Sequence, residues 1–196
     1  MTITDLAPRS ADTSAPLLPA LAGRWSPRAF DPEAVVDETK LASALEAARW
    51  SPSANNSQPW RFIVARRGTP AFDSIVANLM GFNQAWAGSA SVLVVAAAEV
   101  VDAEGTERRW AAYDLGQAVA HLTIQAHHDG LHTHQMGGFD ADGLRAAFDL
   151  DERFLPISVT AIGLLGDADA LPEPLRAREL APRTRRPLED VVVVNA

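Results

Sequence analysis

The spacing of hydrophobic and polar residues predicts a mixture of helices and strands. Apolar residues recur at helical spacing from Asp37 to Arg49, and Asp commonly caps helix N-termini, so a helix is predicted there. A longer helical pattern extends from about Thr106 to Asp129, with apolar residues around much of its circumference. The run Ser91–Ala98 has no polar face, which predicts a buried central strand.

Shorter segments complete this pattern. A short helix is predicted after Ser14, ending near Gly23, and the polar residues 1–14 predict a flexible N-terminus. The rest, 15–196, is expected to form a single domain. Helices and strands do not follow regular βαβ alternation, so an α+β fold is favoured over a doubly wound sheet. The further predicted elements are strands at 62–65, 131–136, 157–165 and 191–194, and helices at 70–80 and 140–148.

Composition narrows the functional classes. The net charge of −8 argues against nucleic acid or an acidic membrane surface as a partner. The absence of cysteine excludes disulfides, thiolate metal sites and a cysteine nucleophile. No apolar stretch is long enough to span a bilayer, and Met1–Leu6 does not have the pattern of a signal peptide. A cytoplasmic protein is therefore expected.

The polar turn Ser51–Trp60 lies between a predicted helix and a predicted strand. Pro52 and Pro59 bracket it and disfavour helix in the residue before each. A polar turn fixed between two elements is a common place for ligand recognition, although the same composition also makes ordinary loops. Its hydrogen-bonding side chains are Ser53, Asn55, Asn56, Ser57 and Gln58.

Two groups of arginines could bind an anion. Arg24 and Arg28 flank Ser26, and they would converge on one anion if the segment is extended or turning. The cluster Arg183–Arg186 near the C-terminus is consistent with a phosphate contact. For both groups, solvated surface arginines are the simpler alternative. Gly137-Gly138 follows a predicted strand and would allow a ligand to approach the backbone closely, or would form a simple turn.

The five histidines lie between His121 and His134 and raise the possibility of a metal site. His132 and His134 are alternate residues and could share one face of a strand. The helix end near Gly130 separates them from the others, and no acid–histidine metal motif is present. Helix-end and surface histidines are the favoured interpretation, and no metal ligand is assigned.

Together, four segments resemble the nitroreductase family of FMN-dependent oxidoreductases. They are Arg24-x-Ser26-x-Arg28-x-Phe30, the turn Pro52–Trp60, Gly137–Asp140 and Arg185–Leu188, and they occur in the family's order over roughly residues 15–195. The resemblance implies a central, mostly antiparallel sheet flanked by helices. It also implies an intertwined homodimer with the flavin at the interface, lined by both chains.

The resemblance further implies a set of cofactor-binding residues. Arg24 and Ser26 would contact the FMN phosphate and ribityl chain, Arg28 would lie at the flavin N1/O2 edge, and Asn56 would bond the pyrimidine edge. Gly137-Gly138 would offer a backbone N–H to flavin N5, where many family members have an acidic residue in place of Gly137. The full set is Arg24, Trp25, Ser26, Arg28, Ser53, Asn56, Gln58, Gly137, Gly138, Arg183 and Arg185.

The implied activity is a ping-pong reaction in which NADH or NADPH reduces FMN, and FMN then reduces a nitroaromatic, quinone or related small-molecule acceptor. Electron transfer of this kind needs binding and orientation rather than a protein acid or base, so no catalytic residue is assigned. The alternatives are a flavin-dependent dehydrogenase of the same fold, a flavin-binding storage or regulatory protein without turnover, and a histidine-metal hydrolase.

Overall fold

The computed structural model describes residues 9–195, so part of the predicted flexible N-terminus lies outside the described residues. The single domain expected over 15–196 stays a prediction. Short 3-10 turns lie at Ala54–Asn56 and Ala168–Ala170. The strands are β1 (Trp60–Arg66), β2 (Val92–Glu99), β3 (His132–Met136) and β4 (Phe154–Gly163). The helices are α1 (Pro19–Gly23), α2 (Glu38–Arg49), α3 (Pro70–Ala77), α4 (Gly81–Ala87), α5 (Ala111–His128), α6 (Ala141–Ala147), α7 (Leu175–Leu180) and α8 (Leu188–Val191).

The four strands form one antiparallel sheet in the order β1-β2-β4-β3. All residues of β2 are buried, as the unbroken apolar run predicts for a central strand. Trp60 at the start of β1 pairs with Ala98, and Met136 at the end of β3 pairs with Val159. The α+β fold with a central antiparallel sheet is confirmed.

Two hydrophobic layers cover the two faces of the sheet. Leu93 and Val95 of β2 pack on one side with residues of α3 and α4, including Ile75. The alternate residues of β2, such as Val94, pack on the other side with α2 and α5, including Leu115. This division follows from the opposite orientation of successive side chains along a strand.

Helix α5 spans 18 residues and is the longest helix of the described part of the chain. Its buried face contains Leu115, Ala118 and Leu122, which pack against the sheet and α2. Its other face is open, and Trp110 and Tyr113 near its start are 53% and 65% exposed. Within residues 9–195, no helix combines the length and apolar character needed to cross a membrane.

Two sequence predictions about the ends of elements are wrong. Ser14 caps no helix, because α1 begins at Pro19, whose ring fixes a helical φ, and Leu18 occupies the N-cap position. Residues 191–194 form no strand, because α8 extends to Val191 and none of the described strands pairs with the valines that follow. The caps predicted at Asp37 and Asp140 are confirmed, since their carboxylates accept the N–H of Thr39 and Gly143 at 2.8 and 3.0 Å.

Candidate functional site

A cluster of arginines forms where the end of α1 meets the C-terminal segment. The Nη2 of Arg24 donates to Ser26 Oγ at 3.2 Å. Arg183 Nη1 donates to the carbonyls of Arg9 and Ala22, in the latter case at 2.8 Å. These bonds position the sequence-predicted Arg24, Ser26 and Arg183 together, although the two arginines are far apart in the chain.

The arginine cluster is not balanced by acidic side chains. Burial lowers the pKa of Arg24, and the positive charges of Arg183 and Arg185 lower it further. Burial also lowers the pKa of Arg183, as do Arg185 and Arg9. Within residues 9–195, Arg24, Arg183 and Arg185 form no ion pair, and the buried Nε of Arg24 has no hydrogen-bond partner. Partly buried guanidinium groups of this kind fit an anion that carries more than one charge, such as a phosphate monoester.

The segment that follows Arg24 lies along the edge strand β3. The ring of His134 is hydrogen-bonded to the Pro27 carbonyl at 2.8 Å, so its Nδ1 is the protonated, donating nitrogen. The buried carboxylate of Glu179 accepts the N–H groups of Arg28 and Ala29 at 2.9 and 3.1 Å. These contacts fix the backbone on both sides of Pro27 and place the half-buried Arg28 near β3.

Trp25 and Arg185, two further predicted site residues, have different surroundings near the arginine cluster. Trp25 lies under the guanidinium of Arg9, whose Cζ is 4.1 Å from a ring centroid of the indole. Arg185 is exposed, and its Nη1 donates to the neighbouring Thr184 carbonyl at 2.7 Å. Arg185 therefore has other donors available for a ligand.

Gly137 and Gly138 follow β3 directly and have different environments. The Gly138 carbonyl accepts the N–H of Met80 at 3.0 Å and the side-chain Nδ2 of Asn83 at 2.9 Å. A Cβ at Gly138 would approach Asn83 Nδ2 to 3.1 Å, so this position is crowded. Gly137 is exposed, and no described atom lies within 4 Å of where its Cβ would be. The backbone at Gly137 is therefore open to a ligand.

The turn between α2 and β1 has a rare backbone conformation. Asn55 and Asn56 both have φ of 54°, and Gln58 has φ of 48°. Ser53 Oγ accepts the N–H of Gln58 at 3.0 Å, which closes the turn across its base. Asn tolerates the left-handed region better than most residues, which explains the pair of asparagines. The side chain of Asn56 is exposed and available to a ligand.

The turn and the arginine cluster lie at opposite ends of α5. Ala54 in the turn donates its N–H to Asp114 Oδ2 at 3.0 Å, near the start of the helix. A Cβ at Gly23, next to Arg24, would lie 3.0 Å from Nε2 of His127 near its end. Asp114 and His127 are about 20 Å apart along the helix axis at a rise of about 1.5 Å per residue. One chain therefore does not bring all the predicted site residues together.

The order of strands in the sheet also separates the turn from the arginine cluster. The turn leads into β1 at one edge, whereas the arginine cluster and Gly137 lie beside β3 at the other edge. Three strand spacings separate these edges, or roughly 14 Å. The predicted set is thus divided into two groups: Arg24, Trp25, Ser26, Arg28, Gly137, Gly138, Arg183 and Arg185 lie on the β3 side, and Ser53, Asn56 and Gln58 lie on the β1 side.

The histidines occupy separate environments. His121 Nδ1 is 2.7 Å from Ser51 Oγ, beside the turn. The rings of His127 and His132 are 5.3 Å apart near the arginine cluster, and the ring of His134 lies 4.6 Å from that of Trp86. Among residues 9–195, no three His, Cys, Asp or Glu side chains converge in a way that could hold a metal ion.

The largely buried side chains of His132 and His134 should make the protein less stable in mild acid. Burial lowers the pKa of His132 to about 4, with a smaller contribution from His127, and burial likewise lowers the pKa of His134 to about 4. Both are neutral at pH 7, so their contribution to stability is complete above pH 6.5 and is lost as the pH falls toward 4. His132 alone should lower the free energy of unfolding by about 2 kcal/mol between pH 7 and pH 5.

Urea unfolding of the apoprotein at pH 7 and pH 5 measures this loss. The variant His132→Gln should remove its share of the pH dependence. The matched variant His128→Gln, at an exposed position of the same region, should retain the wild-type dependence. Equal pH dependence in wild type and His132→Gln would contradict the assignment.

Two residues that the sequence did not predict, Glu179 and His127, support the site. Glu179, which holds the backbone of Arg28 and Ala29, lies in a C-terminal stretch without a clear helical or strand pattern. His127 lies beside the arginines, and its pKa is lowered by burial and then by Arg24 and Arg183. The clustering of histidines pointed to the region, but only the fold shows that His127 belongs with the arginines.

One family model and several known proteins are similar to this chain. The family model described as the nitroreductase family matches residues 21–71 and 67–164. A solved structure described as an oxidoreductase containing FMN is 38% identical, with a TM-score of 0.86 and 92% of each chain covered. An uncharacterized 15.4 kDa protein of Mycolicibacterium smegmatis is 39% identical over 138 residues, which cover 67% of this chain and 92% of that protein.

Another relative matches a shorter part of the chain and has a more specific name. The major NAD(P)H-flavin oxidoreductase of Aliivibrio fischeri is 40% identical over 72 residues, which cover 35% of this chain and 33% of that protein. The family match spans most of the chain and includes Arg24, the turn around Asn56, and Gly137. With the four-stranded antiparallel sheet and the resemblance noted in the sequence, these matches show that the chain belongs to the nitroreductase family.

Proposed function

We propose that this protein uses NADH or NADPH to reduce a nitroaromatic, quinone or related acceptor, the two substrates reacting in turn at one FMN site. As a member of its family it is an FMN-dependent NAD(P)H oxidoreductase. The structural observation that carries the proposal is the uncompensated cluster of Arg24, Arg183 and Arg185, which fits the phosphate of a mononucleotide. Because NAD(P)H is available in the cytoplasm, we place the protein there.

The residues of this chain would hold and orient the cofactor. The arginines would bind the phosphate, while Arg28, four residues from Arg24, would lie toward the flavin ring. When bound, FMN supplies the two-electron chemistry that links the nucleotide to the acceptor. Gly137 leaves room at the end of β3 for the ring to approach the backbone. The site needs no general acid or base from the protein.

We also propose that the protein is a homodimer in which each FMN site uses both chains. The separation of the Asn56 turn from the arginine cluster within one chain supports this arrangement, since a second chain could supply the missing group. The open face of α5 carries Ala112, Gly116 and Ala120 at every fourth position. Small residues at this spacing allow another helix to approach closely.

Exposed apolar side chains support the same proposal. Trp110 and Tyr113 flank the open face of α5, and Val193 and Val194 in the tail are 93% and 77% exposed. Apolar surface of this kind commonly marks a protein–protein interface. A second copy that packs along α5 and accepts the tail would cover both regions.

Arg28 is predicted to set the redox potential. Reduced flavin carries negative charge at N1, which a nearby guanidinium stabilises. A charged contact contributes about 1.5–3 kcal/mol, so Arg28→Gln should lower the two-electron midpoint by about 30–65 mV. Arg178→Gln removes a charge near Arg28 at an exposed position and is the matched control, for which a smaller shift is expected. An unchanged midpoint in Arg28→Gln would exclude the proposed role.

Anaerobic kinetics on purified protein test the proposed reaction. The flavin released by heating should have the mass of FMN. NADH or NADPH should bleach its absorbance, and a nitroaromatic or quinone should restore it. Initial rates with both substrates varied should give parallel double-reciprocal lines. Bound flavin that neither nucleotide bleaches would indicate a storage or regulatory protein, and bleaching by an organic substrate alone would indicate a dehydrogenase.

A further inference from the structure

A buried carboxylate lies behind the turn that carries Asn56. Glu99, at the end of β2, is 5% exposed. Three arginines approach its carboxylate: Arg153 at 2.8 Å, Arg108 at 3.1 Å and Arg61 at 3.4 Å. Each of the three arginines makes a charged contact with this one buried carboxylate and would lose it by moving away. The carboxylate of Glu99 therefore holds the three arginine side chains in place.

Two of these arginines also reach the turn. Arg108 Nη1 donates to the Ser57 carbonyl at 2.9 Å, and Arg61 Nη1 donates to the Gln58 carbonyl at 3.1 Å. Arg153 instead pairs with Asp151 at 3.3 Å. Arg108 is the better buried of the two contacts to the turn, with its side chain 25% exposed against 50% for Arg61.

The turn requires such support because its backbone conformation is costly. Asn55, Asn56 and Gln58 all have positive φ, a region that residues other than glycine rarely occupy. Asp114 holds one end of the turn through the Ala54 N–H at 3.0 Å. The arginines on Glu99 hold the other end, so the exposed side chain of Asn56 is presented from a backbone fixed on both sides.

We propose that Glu99 and Arg108 are positioning residues for the cofactor: they hold the turn so that Asn56 meets the flavin. This inference rests on the proposed function and on the contact that the family resemblance implies, in which Asn56 bonds the pyrimidine edge of FMN. Neither Glu99 nor Arg108 has to touch the cofactor. They affect FMN binding indirectly, because Arg108 holds the carbonyl of Ser57, the residue after Asn56.

The test is a double-mutant cycle on FMN affinity. Arg108→Gln removes the better buried of the two links between Glu99 and the turn, and should weaken FMN binding about tenfold, the equivalent of one hydrogen bond. Asn56→Ala should weaken it at least as much. If Arg108 acts through Asn56, Arg108→Gln should have little further effect in the Asn56→Ala background. Arg153→Gln is the matched control, because Arg153 contacts the same carboxylate but no carbonyl of the turn.

Visible circular dichroism of the bound flavin adds a readout that a general loss of stability would not change. Arg108→Gln and Asn56→Ala should alter this spectrum in the same sense, and Arg153→Gln should retain the wild-type spectrum. The inference is overturned if Arg108→Gln and Asn56→Ala are additive, or if Arg153→Gln weakens FMN binding as much as Arg108→Gln. If Asn56→Ala binds FMN with wild-type affinity and spectrum, Asn56 does not contact the flavin. In that case Glu99 and Arg108 do not position it for the cofactor either.

Discussion

Replacement of Arg24 by Gln is expected to weaken FMN binding by about 10- to 100-fold, the cost of one charged hydrogen-bonding contact. Arg24 lies beside Arg183 and Arg185 without an acidic partner in the described part of the chain, and its Nε is buried and unpaired. A phosphate would supply both the missing charge and the missing acceptor. Titration of the apoprotein with FMN measures the effect.

Riboflavin separates a phosphate contact from general damage, because it has the same ring system without the phosphate. Arg24→Gln should lose far less affinity for riboflavin than for FMN. The apoprotein should be as stable as wild type or more stable, since the substitution removes a charge from a group of like charges. Arg49→Gln, which removes an exposed arginine paired with Glu46, is the control and should bind FMN normally. Equal losses of FMN and riboflavin affinity in Arg24→Gln would contradict the assignment.

Replacement of Gly116 by Glu is expected to convert the protein to a monomer and to abolish FMN binding at the same time. Gly116 lies in the middle of the open face of α5, with no described atom within 4 Å of its Cβ position. A glutamate there would place a charge in the proposed interface. Light scattering at micromolar concentration, with FMN titration of the same sample, measures both effects.

A control variant shows whether Gly116→Glu loses the dimer because the protein misfolds or because the interface is disrupted. Glu has a higher helix propensity than Gly, so the substitution should not weaken α5 itself. Ala146→Glu, which introduces the same charge at an exposed position of α6, should remain dimeric and bind FMN. A Gly116→Glu protein that is still dimeric, or a monomer that binds FMN at wild-type affinity, would contradict the proposal.

The fold was largely predictable because its main elements carry local signals. Asp37 and Asp140 are good caps and precede helices, and the unbroken apolar run 91–98 is typical of a strand that is buried on both faces of a sheet. The tail 191–194 was less predictable. Its valines favour a strand by propensity, but a strand needs a partner, and none of the described strands pairs with them.

The sequence proposed the residues of the candidate site but gave no information on their arrangement. Short motifs identified Arg24, Asn56 and Gly137, whereas the distance along α5 between the turn and the arginines depends on tertiary packing. The supporting carboxylates Glu99 and Glu179 had no sequence signal. Each is defined by partners distant in the chain, such as Arg153 for Glu99 and the backbone of Arg28 for Glu179.

Subunit complementation tests whether each FMN site combines the arginine cluster of one chain with the Asn56 turn of another. Arg24→Gln and Asn56→Ala proteins are unfolded together in equal amounts, refolded, and measured for FMN-dependent NAD(P)H oxidation. Random pairing should make about half of the dimers mixed, each with one intact and one doubly altered site, so about a quarter of all sites should be wild type. If each site is shared between two chains, the activity should be well above the mean of the two parent proteins. Activity equal to that mean would show that each site lies within a single chain.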